Sequence, residues 1–364
     1  MPDDEQNAEA STSTGPLNGV RILDLSAVVS GPMAAVVLAD QGADVIKIEP
    51  PHRGDGVRYL GASRNGLSAI FSVINRNKRS IAINLKHPSG KDLVLKLAET
   101  ADVLLQNYRP GKLEKLGLGY ENLREINPEL IYTSISGMGD VGPYADQKVY
   151  DYVIQGISGA TDAQSETQGK KMVRTIIYDK VTALTAAQGI TAALFARANG
   201  AGGQHLKLSM LDTAVYFNWP DLMWNYTFQG DDVQLAGDLA DMYEISEAND
   251  GAIVSHRLGA DCSSYSTDEL IELFSQNDIP VARANQRSEV SSDPQVIASK
   301  TLMVTNHPRG GEMLHPRPPM QFSNMPFTMR SHSPEIGQHT VEILSELGLS
   351  LEDMQGMARE GIIA

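Results

Sequence analysis

Short apolar runs alternate with helix-like segments along the first part of the chain, and this alternation restricts the fold more than any other feature. Strand-like runs rich in Val, Ile and Leu occupy residues 19–25, 43–49, 80–85, 102–107 and 130–137. Segments with helical patterning lie between them at residues 31–40, 88–99 and 120–126. Repeated strand–helix–strand units predict an α/β fold with a mostly parallel, doubly wound sheet. Ligands of such folds bind at the carboxyl ends of the strands.

Length and composition indicate a globular protein. The chain has 364 residues, of which 41% are apolar, so it can bury a substantial core and is long enough for two domains. Residues 1–14 carry four acidic residues and no basic one, which predicts a disordered tail. The net charge of -15 argues against a nucleic acid or an anionic membrane as partner, so any anionic ligand needs a local basic cluster.

Several classes of protein are not expected from this sequence. No stretch approaches the roughly 20 uninterrupted apolar residues of a membrane span, and the acidic N-terminus is unlike a signal peptide, so we expect a cytoplasmic protein. The single cysteine, Cys262, excludes a disulfide framework and a cysteine-built metal cluster. We expect no metal site, because His256, His307 and His315 lack the spacing of metal ligands.

The first strand–helix–strand unit does not carry a dinucleotide motif. Its turn reads LSAVVSGPMAA, with Gly31 alone where the dinucleotide fingerprint needs three glycines. Glu49 ends the next strand, as the ribose-binding acid of such proteins does, but without the glycines it does not predict NAD. A Walker A sequence is also absent.

Basic residues are concentrated between residues 54 and 115 of an otherwise acidic chain. They occur in GDGVR, NRNKRS and QNYRPGKLEKLG, close to Tyr108 and to the amides of Asn75, Asn77 and Asn107. Taken one by one, these cations are typical of a solvated surface. As a set, they suit a phosphate-bearing ligand with a flat base.

Asp179 lies between a short apolar run and a long apolar helix, in the segment TIIYDKVTALTAAQGITAALFAR. Ile176, Ile177 and Val181 solvate charge poorly, so its carboxylate is expected to be partly desolvated. The free amides and positive dipole end of a helix N-terminus would favour the anion. Asp179 is therefore either an ordinary N-cap or a functional carboxylate.

Further segments carry a resemblance to a known family. DLSAVVSGPMAA, ADVIKIEPP, NRNKRSIAINLKHPSGK, ADVLLQNYRPG, YDYVIQGISG and DKVTALTAAQGITAAL occur in the order typical of the family III CoA-transferases, also called the CaiB/BaiF family. The chain also resembles their relatives, the α-methylacyl-CoA racemases. The similarity extends from about Gly19 to the C-terminus.

The resemblance implies a fold and an assembly. It implies a large Rossmann-like, CoA-binding domain formed by residues 15–215 and 325–364, and a smaller α+β domain formed by residues 216–324. Two such chains are expected to form an interlocked homodimer. The substrates would be an acyl-CoA and a carboxylic acid, with no tightly bound cofactor.

The resemblance also implies roles for individual residues. Asp179 matches the catalytic aspartate, which attacks the donor thioester to give a mixed anhydride and then an aspartyl-CoA thioester. Val28, Tyr150 and Asp151 fall at the acyl site. Positions that contact CoA in the family correspond to Val29, Arg53, Ile83, Lys86, Asn107, Tyr108, Lys115 and Lys148.

Three departures from the family patterns bear on the function. Racemases use a histidine at the position of Tyr150, and a phenol with a pKa near 10 is a poor base, so transfer is favoured over racemisation or isomerisation. The small domain looks shortened after Met242, without the family's glycine-rich lid loop, which leaves a CoA-binding protein without turnover as a third hypothesis. Val29 replaces a glutamine common in transferases, which weakens the expectation of an oxalate-type substrate.

Overall fold

The computed structural model describes residues 15–165, 169–257 and 259–364, so the predicted tail of residues 1–14 lies outside the described residues. The strands are β1 Arg21–Asp24, β2 Asp44–Glu49, β3 Ser63–Arg64, β4 Leu67–Ser68, β5 Lys78–Ala82, β6 Val103–Gln106, β7 Ile131–Ser136, β8 Gln204–Ser209, β9 Tyr243–Glu247, β10 Ala252–His256, β11 Val281–Arg283, β12 Leu302–His307 and β13 Gly311–Pro316. The helices are α1 Ser30–Asp40, α2 Ala69–Asn75, α3 Pro88–Glu99, α4 Tyr120–Ile126, α5 Asp151–Ile157, α6 Ala160–Ala163, α7 Ile177–Ala196, α8 Met210–Leu222, α9 Thr267–Gln276, α10 Pro294–Ala298, α11 Thr340–Glu346 and α12 Leu351–Arg359.

A six-stranded sheet organises the molecule, with strand order β5-β2-β1-β6-β7-β8. Every pairing in it is parallel, and Leu23 of β1 lies between Ile46 of β2 and Leu104 of β6. Counted along the chain, the order within this sheet is 3-2-1-4-5-6, in which the direction of progression reverses between β1 and β6. The predicted parallel sheet is confirmed, and β8 adds a sixth strand that the alternation alone did not predict.

Helices cover both faces of the sheet, which explains why its strands read as continuous apolar runs. Ile22 and Val45 belong to the core shared with α1 and α7. Their strand neighbours Leu23 and Ile46 point to the opposite core, which is closed by α3, α4 and the C-terminal helices α11 and α12. The chain therefore returns to the large sheet at its end.

The helix boundaries follow local chemistry closely. α3 covers the predicted residues 88–99, because Pro88 occupies its first position and the His87 ring accepts the Ser89 amide. The third predicted strand was displaced, since β5 begins at Lys78 and ends at Ala82 rather than spanning 80–85. The sequence did not indicate that the strand starts at Lys78, because a lysine is usually exposed. Here Lys78 is fully buried and its Nζ donates to Asp24 at 2.9 Å.

Residues 216–324 form smaller structural units. β11, β10 and β9 make an antiparallel sheet on which α9 packs through a core that includes Ile253, Leu270 and Phe274. β12 and β13 form a separate hairpin. The proposed domain limits at 215/216 and 324/325 stay a prediction. In the described part of the chain, none of the helices has the length and apolar character that crossing a bilayer requires.

Candidate functional site

A cavity of about 360 Å³ lies at the carboxyl ends of β1, β2, β6 and β7. This is the edge where parallel α/β sheets bind ligands, and the cavity spans the point between β1 and β6 where the strand order reverses. Its wall comes mainly from the loops that follow these strands and from the first turns of α1 and α7. It includes Val28, Val29, Ser30, Asn107, Tyr108, Lys148, Tyr150 and Asp179.

The loop of residues 25–29, between β1 and α1, is held from both sides. Asn107 Oδ1 accepts the Ala27 amide at 2.9 Å, and Asn107 Nδ2 donates to the Ala27 carbonyl at 2.7 Å. On the other side, Asp55 Oδ1 accepts the Val28 amide at 3.0 Å. Asp55 is paired in turn with Lys47, whose Nζ lies 3.0 Å from Asp55 Oδ2, and both side chains are at most 1% exposed. A buried ion pair therefore fixes this part of the cavity wall.

Val28 has a strained backbone conformation. Its φ of 69° lies in the left-handed region, which β-branched residues rarely adopt. The hydrogen bond from its amide to Asp55 helps to hold that conformation. Strain of this kind is concentrated at functional sites, where the surrounding structure maintains it.

Asp179 is the third residue of α7 and does not cap the helix. The N-cap position belongs to Ile176, which makes no capping bond with its side chain. Asp151, which belongs to α5, satisfies the free amides at the start of α7 instead. Its Oδ1 accepts hydrogen bonds from the amides of Tyr178 at 2.7 Å and Asp179 at 3.3 Å. The interpretation of Asp179 as an ordinary N-cap is therefore wrong. Its carboxylate instead accepts a hydrogen bond from the Ser30 hydroxyl of α1.

Asp151 lies behind the cavity wall rather than on it. It is buried, and its second oxygen accepts Gln155 Nε2 at 2.5 Å. With its oxygens engaged by the α7 amides and by Gln155, this side chain orients the helix that carries Asp179. Its sequence-based assignment to the acyl site stays a prediction.

Burial has the largest effect on the pKa of Asp179. It raises the pKa of the carboxyl above the usual 3.8, and the nearby negative charge of Asp151 raises the pKa further. The hydrogen bond from Ser30 acts in the opposite direction and favours the ionised form. Asp179 is thus a half-buried carboxylate with one hydroxyl donor, at the wall of a cavity.

Six of the predicted ligand contacts are brought together at the cavity. Val28, Val29, Asn107, Tyr108, Lys148 and Tyr150 all line it. Two cations lie over aromatic rings, Lys148 Nζ at 5.1 Å from the Tyr150 centroid and Lys112 Nζ at 5.3 Å from the Tyr108 centroid. Burial raises the pKa of the Tyr108 phenol, so that its hydroxyl stays neutral.

Four other predicted contacts lie away from the cavity wall. Ile83 is 1% exposed and packs in the core beneath the sheet, which leaves it almost no surface for a ligand. Arg53, Lys86 and Lys115 are exposed side chains. Their contact with CoA stays a prediction.

Sequence reasoning missed Ser30, Lys47 and Asp55. Ser30 stood in the quoted segment SGPMAA, but nothing in the sequence places it beside a residue 149 positions away. Lys47 is the polar residue of an apolar strand, which is a usable signal for a buried, paired charge. Asp55 lies in the segment GDGVR, which was quoted as part of the concentration of basic residues.

The sequence matches the CoA-transferase family III along residues 17–261 and 236–340. It is 33% identical over 385 residues to a succinate–glutarate CoA-transferase of Agrobacterium fabrum, covering 91% of this chain and 96% of that relative. A formyl-CoA:oxalate CoA-transferase of Streptomyces avermitilis is 28% identical, with 96% of this chain and all of the relative covered. The crystal structure of a CaiB/BaiF family protein from Brucella suis is similar with a TM-score of 0.81 at 28% identity, covering 92% of this chain and 100% of that one.

Proposed function

The chain belongs to CoA-transferase family III, and from this premise we propose that it moves CoA from an acyl-CoA to a free carboxylic acid, with Asp179 as the nucleophile. The observation that carries the proposal is the half-buried Asp179 carboxylate on the wall of the cavity at the carboxyl ends of the strands. A carboxylate is a weak nucleophile in water, and partial burial with a fixed orientation increases its reactivity.

The proposed reaction consists of two exchanges. An Asp179 oxygen attacks the thioester carbonyl carbon, the C–S bond breaks, and CoA leaves as thiolate, so that the acyl group and Asp179 are joined as a mixed anhydride. The thiolate then attacks the Asp179 carbonyl carbon, which releases the donor acid as a carboxylate and gives an aspartyl-CoA thioester. The acceptor carboxylate repeats these steps in reverse order, which forms the new acyl-CoA and restores the Asp179 carboxylate. No net proton is taken up or released.

The cavity suits the CoA end of the substrate. We propose that Val29, Asn107, Tyr108 and Lys148 contact the pantetheine and adenine portions along the Rossmann-like sheet. Exposed cations nearby would meet the phosphates by charge attraction. We propose that Arg53, Lys86 and Lys115 are among the cations that contact the phosphates. At Ile83 we propose that the main chain, rather than the side chain, approaches the ligand. CoA is a substrate here and not a resident cofactor.

The acyl group is proposed to be that of a small carboxylic acid. The relatives are named for succinate, glutarate, formyl and oxalate substrates. In this chain Val28 and Tyr150, which are assigned to the acyl group, line the cavity wall beside Val29. We therefore expect succinate or glutarate to be accepted better than oxalate, because oxalate has no methylene group to contact valine.

Two copies of the chain are proposed to form an interlocked homodimer. Large apolar side chains stand exposed on and after α7 and α8, among them Phe195, Tyr216, Tyr226 and Phe228. Covering these apolar side chains with another protein surface would be favourable. A second copy would cover them.

A panel of donors and acceptors tests the proposed function. Purified protein is incubated with succinyl-CoA, acetyl-CoA or formyl-CoA and with succinate, glutarate, oxalate or acetate, and the CoA esters are separated chromatographically. We expect transfer with at least one pair, and a loss of about 10³-fold or more in Asp179→Asn. An unchanged rate in this variant would remove Asp179 from the mechanism.

The same material distinguishes the other two hypotheses. Exchange of deuterium into the α-carbon of a branched acyl-CoA, in heavy water and without an acceptor acid, would instead identify a racemase or isomerase. CoA binding with neither transfer nor exchange would identify a binding protein.

A further inference from the structure

Ser30 is joined to the proposed nucleophile although the two residues belong to different helices. Its hydroxyl donates to Asp179 Oδ1, and its main-chain amide also contacts this carboxyl group. The Ser30 side chain is buried, which limits competition from water for the bond. Both donors of one residue thus face one carboxylate.

The position of Ser30 is fixed by close packing at the start of α1. The next residue is Gly31, where an added Cβ would come within 2.2 Å of Ser26 Oγ. The preceding residue, Val29, accepts the Met33 amide at 2.8 Å and so begins the helix. Because Ser30 is the first residue of an 11-residue helix, its amide belongs to the set without a partner inside the helix.

We propose that Ser30 is a positioning residue for Asp179 and donates to the aspartyl oxygen on which negative charge develops during CoA transfer. This inference rests on the proposed function. When the other Asp179 oxygen attacks the thioester, Oδ1 becomes the aspartyl carbonyl oxygen. Attack of the CoA thiolate on the aspartyl carbon breaks the carbonyl π bond and places its electron pair on Oδ1, where the Ser30 hydroxyl and amide stabilise it. The charge returns as the donor carboxylate leaves.

Charged groups on neighbouring elements also affect the ionisation of Asp179. α5 contributes Asp151, whose charge disfavours ionisation of Asp179. The cavity wall contributes the cations Lys148 and Arg109, whereas the residues that α1 and α8 contribute to it, such as Ser30 and Met210, are uncharged. Removing the hydroxyl therefore makes the Asp179 carboxylate harder to ionise and also less well oriented.

The test compares Ser30→Ala with Ser30→Thr, which keeps a hydroxyl, and with Ser72→Ala, which removes a buried hydroxyl from α2 outside the site. For Ser30→Ala we expect kcat to fall about 100-fold, as for the loss of one oxyanion donor. We also expect the acidic limb of its kcat/KM profile to move to higher pH. Ser30→Thr should recover most of the rate, and Ser72→Ala should match the wild type in both measurements.

Different results overturn different statements. Wild-type kcat in Ser30→Ala would overturn this inference, and so would a slowed variant whose acidic limb does not move, because a merely structural serine would give that result. Failure to trap an acyl or CoA adduct on Asp179 of the wild type would instead overturn the proposed function. Thermal melts of all variants show whether each one folds.

Discussion

Two regions of the molecule distribute charge and apolar surface in opposite ways. Beneath the cavity, the ion pairs Lys47–Asp55 and Lys78–Asp24 are at most 1% exposed. In the second region, residues 216–324, the Arg283–Asp268 pair is exposed at 38% and 84%. There it is aromatic side chains that face outward, such as Tyr226 at 69% and Phe228 at 72% exposure.

In the first region every charge of the two buried pairs has a partner within the chain, whereas in the second region large apolar side chains remain in contact with water. Buried charges are costly unless each has a partner, so the cavity base, defined by the two pairs Lys47–Asp55 and Lys78–Asp24, has a specific arrangement that fixes the 25–29 loop. The exposed aromatic side chains do not stabilise the arrangement of a single chain, and burying them requires contact with another protein surface. The first region positions the proposed chemistry, and the second provides the proposed contact between copies.

Breaking a pair in the cavity base should have the largest effect. Lys47→Met leaves Asp55 buried and without its cation, so we expect the free energy of unfolding to fall by about 3–5 kcal/mol. Chemical denaturation measures it. The matched variant in the second region, Asp268→Ala, removes a partner of the exposed pair and should cost less than about 1 kcal/mol. Equal losses in the two variants would contradict the comparison.

A buried histidine of the second region should make stability depend on pH. Both ring nitrogens of His315 lack a hydrogen-bond partner among the described residues. Burial, with the nearby Arg76, His332 and His307, lowers its pKa from 6.5 to about 4. The unfolded chain therefore binds a proton between these values that the folded chain does not, and stability is lost as pH falls from 6.5 to 4.

The variant His315→Leu tests this dependence. Urea titrations at several pH values should show that the wild type loses about 2–3 kcal/mol more than the variant between pH 6.5 and 4. Parallel curves for the two proteins would show that His315 does not titrate in this way.

The exposed aromatic side chains should control association. Replacing both Tyr226 and Phe228 by Ser removes apolar area from the proposed contact between copies, and we expect the dimer dissociation constant to rise about 10-fold or more. Sedimentation over a range of concentrations measures it. A matched double variant at exposed Glu121 and Arg124 on α4 should leave it unchanged. A wild type that is monomeric at all concentrations would contradict the proposal.

The strained loop should give the smallest effect. Val28→Gly relieves the left-handed backbone at φ 69°, partly offset by the greater freedom of glycine in the unfolded chain, so we expect a gain of about 0.5–1 kcal/mol. Val29→Gly is the matched control, because its φ of -126° carries no such strain. This control should be destabilised. A loss of stability in Val28→Gly would show that the contacts of the valine side chain outweigh the strain.

The sequence predicted the parts of the fold that depend on local pattern. Apolar runs and caps located β1, β2, β6 and β7 and the limits of α3 and α4, because each of these elements is determined by its own residues. The start of β5 was missed because Lys78, which looks solvent-facing, is buried against Asp24, a partner distant in the sequence.

In the candidate site, too, local features could be predicted from the sequence, whereas contacts between distant residues could not. The chain itself could indicate that Asp179 is a carboxylate at the start of an apolar helix, and the family resemblance supplied its proposed role. Neither could show that Asp151 satisfies the helix amides or that Ser30 donates to Asp179, since both contacts join residues that only the folded sheet brings together. Similarly, the burial of Ile83 follows from its place beneath the sheet.

A covalent intermediate on Asp179 is the central claim, and trapping tests it most directly. The protein is mixed with succinyl-CoA in the absence of acceptor, treated with hydroxylamine or borohydride, digested and analysed by mass spectrometry, with Asp179→Asn treated in parallel. We expect modification of the wild-type peptide at Asp179, as the hydroxamate or the reduced alcohol, and an unmodified peptide in the variant. Transfer activity with an unmodified Asp179, or modification confined to another carboxylate, would contradict the account.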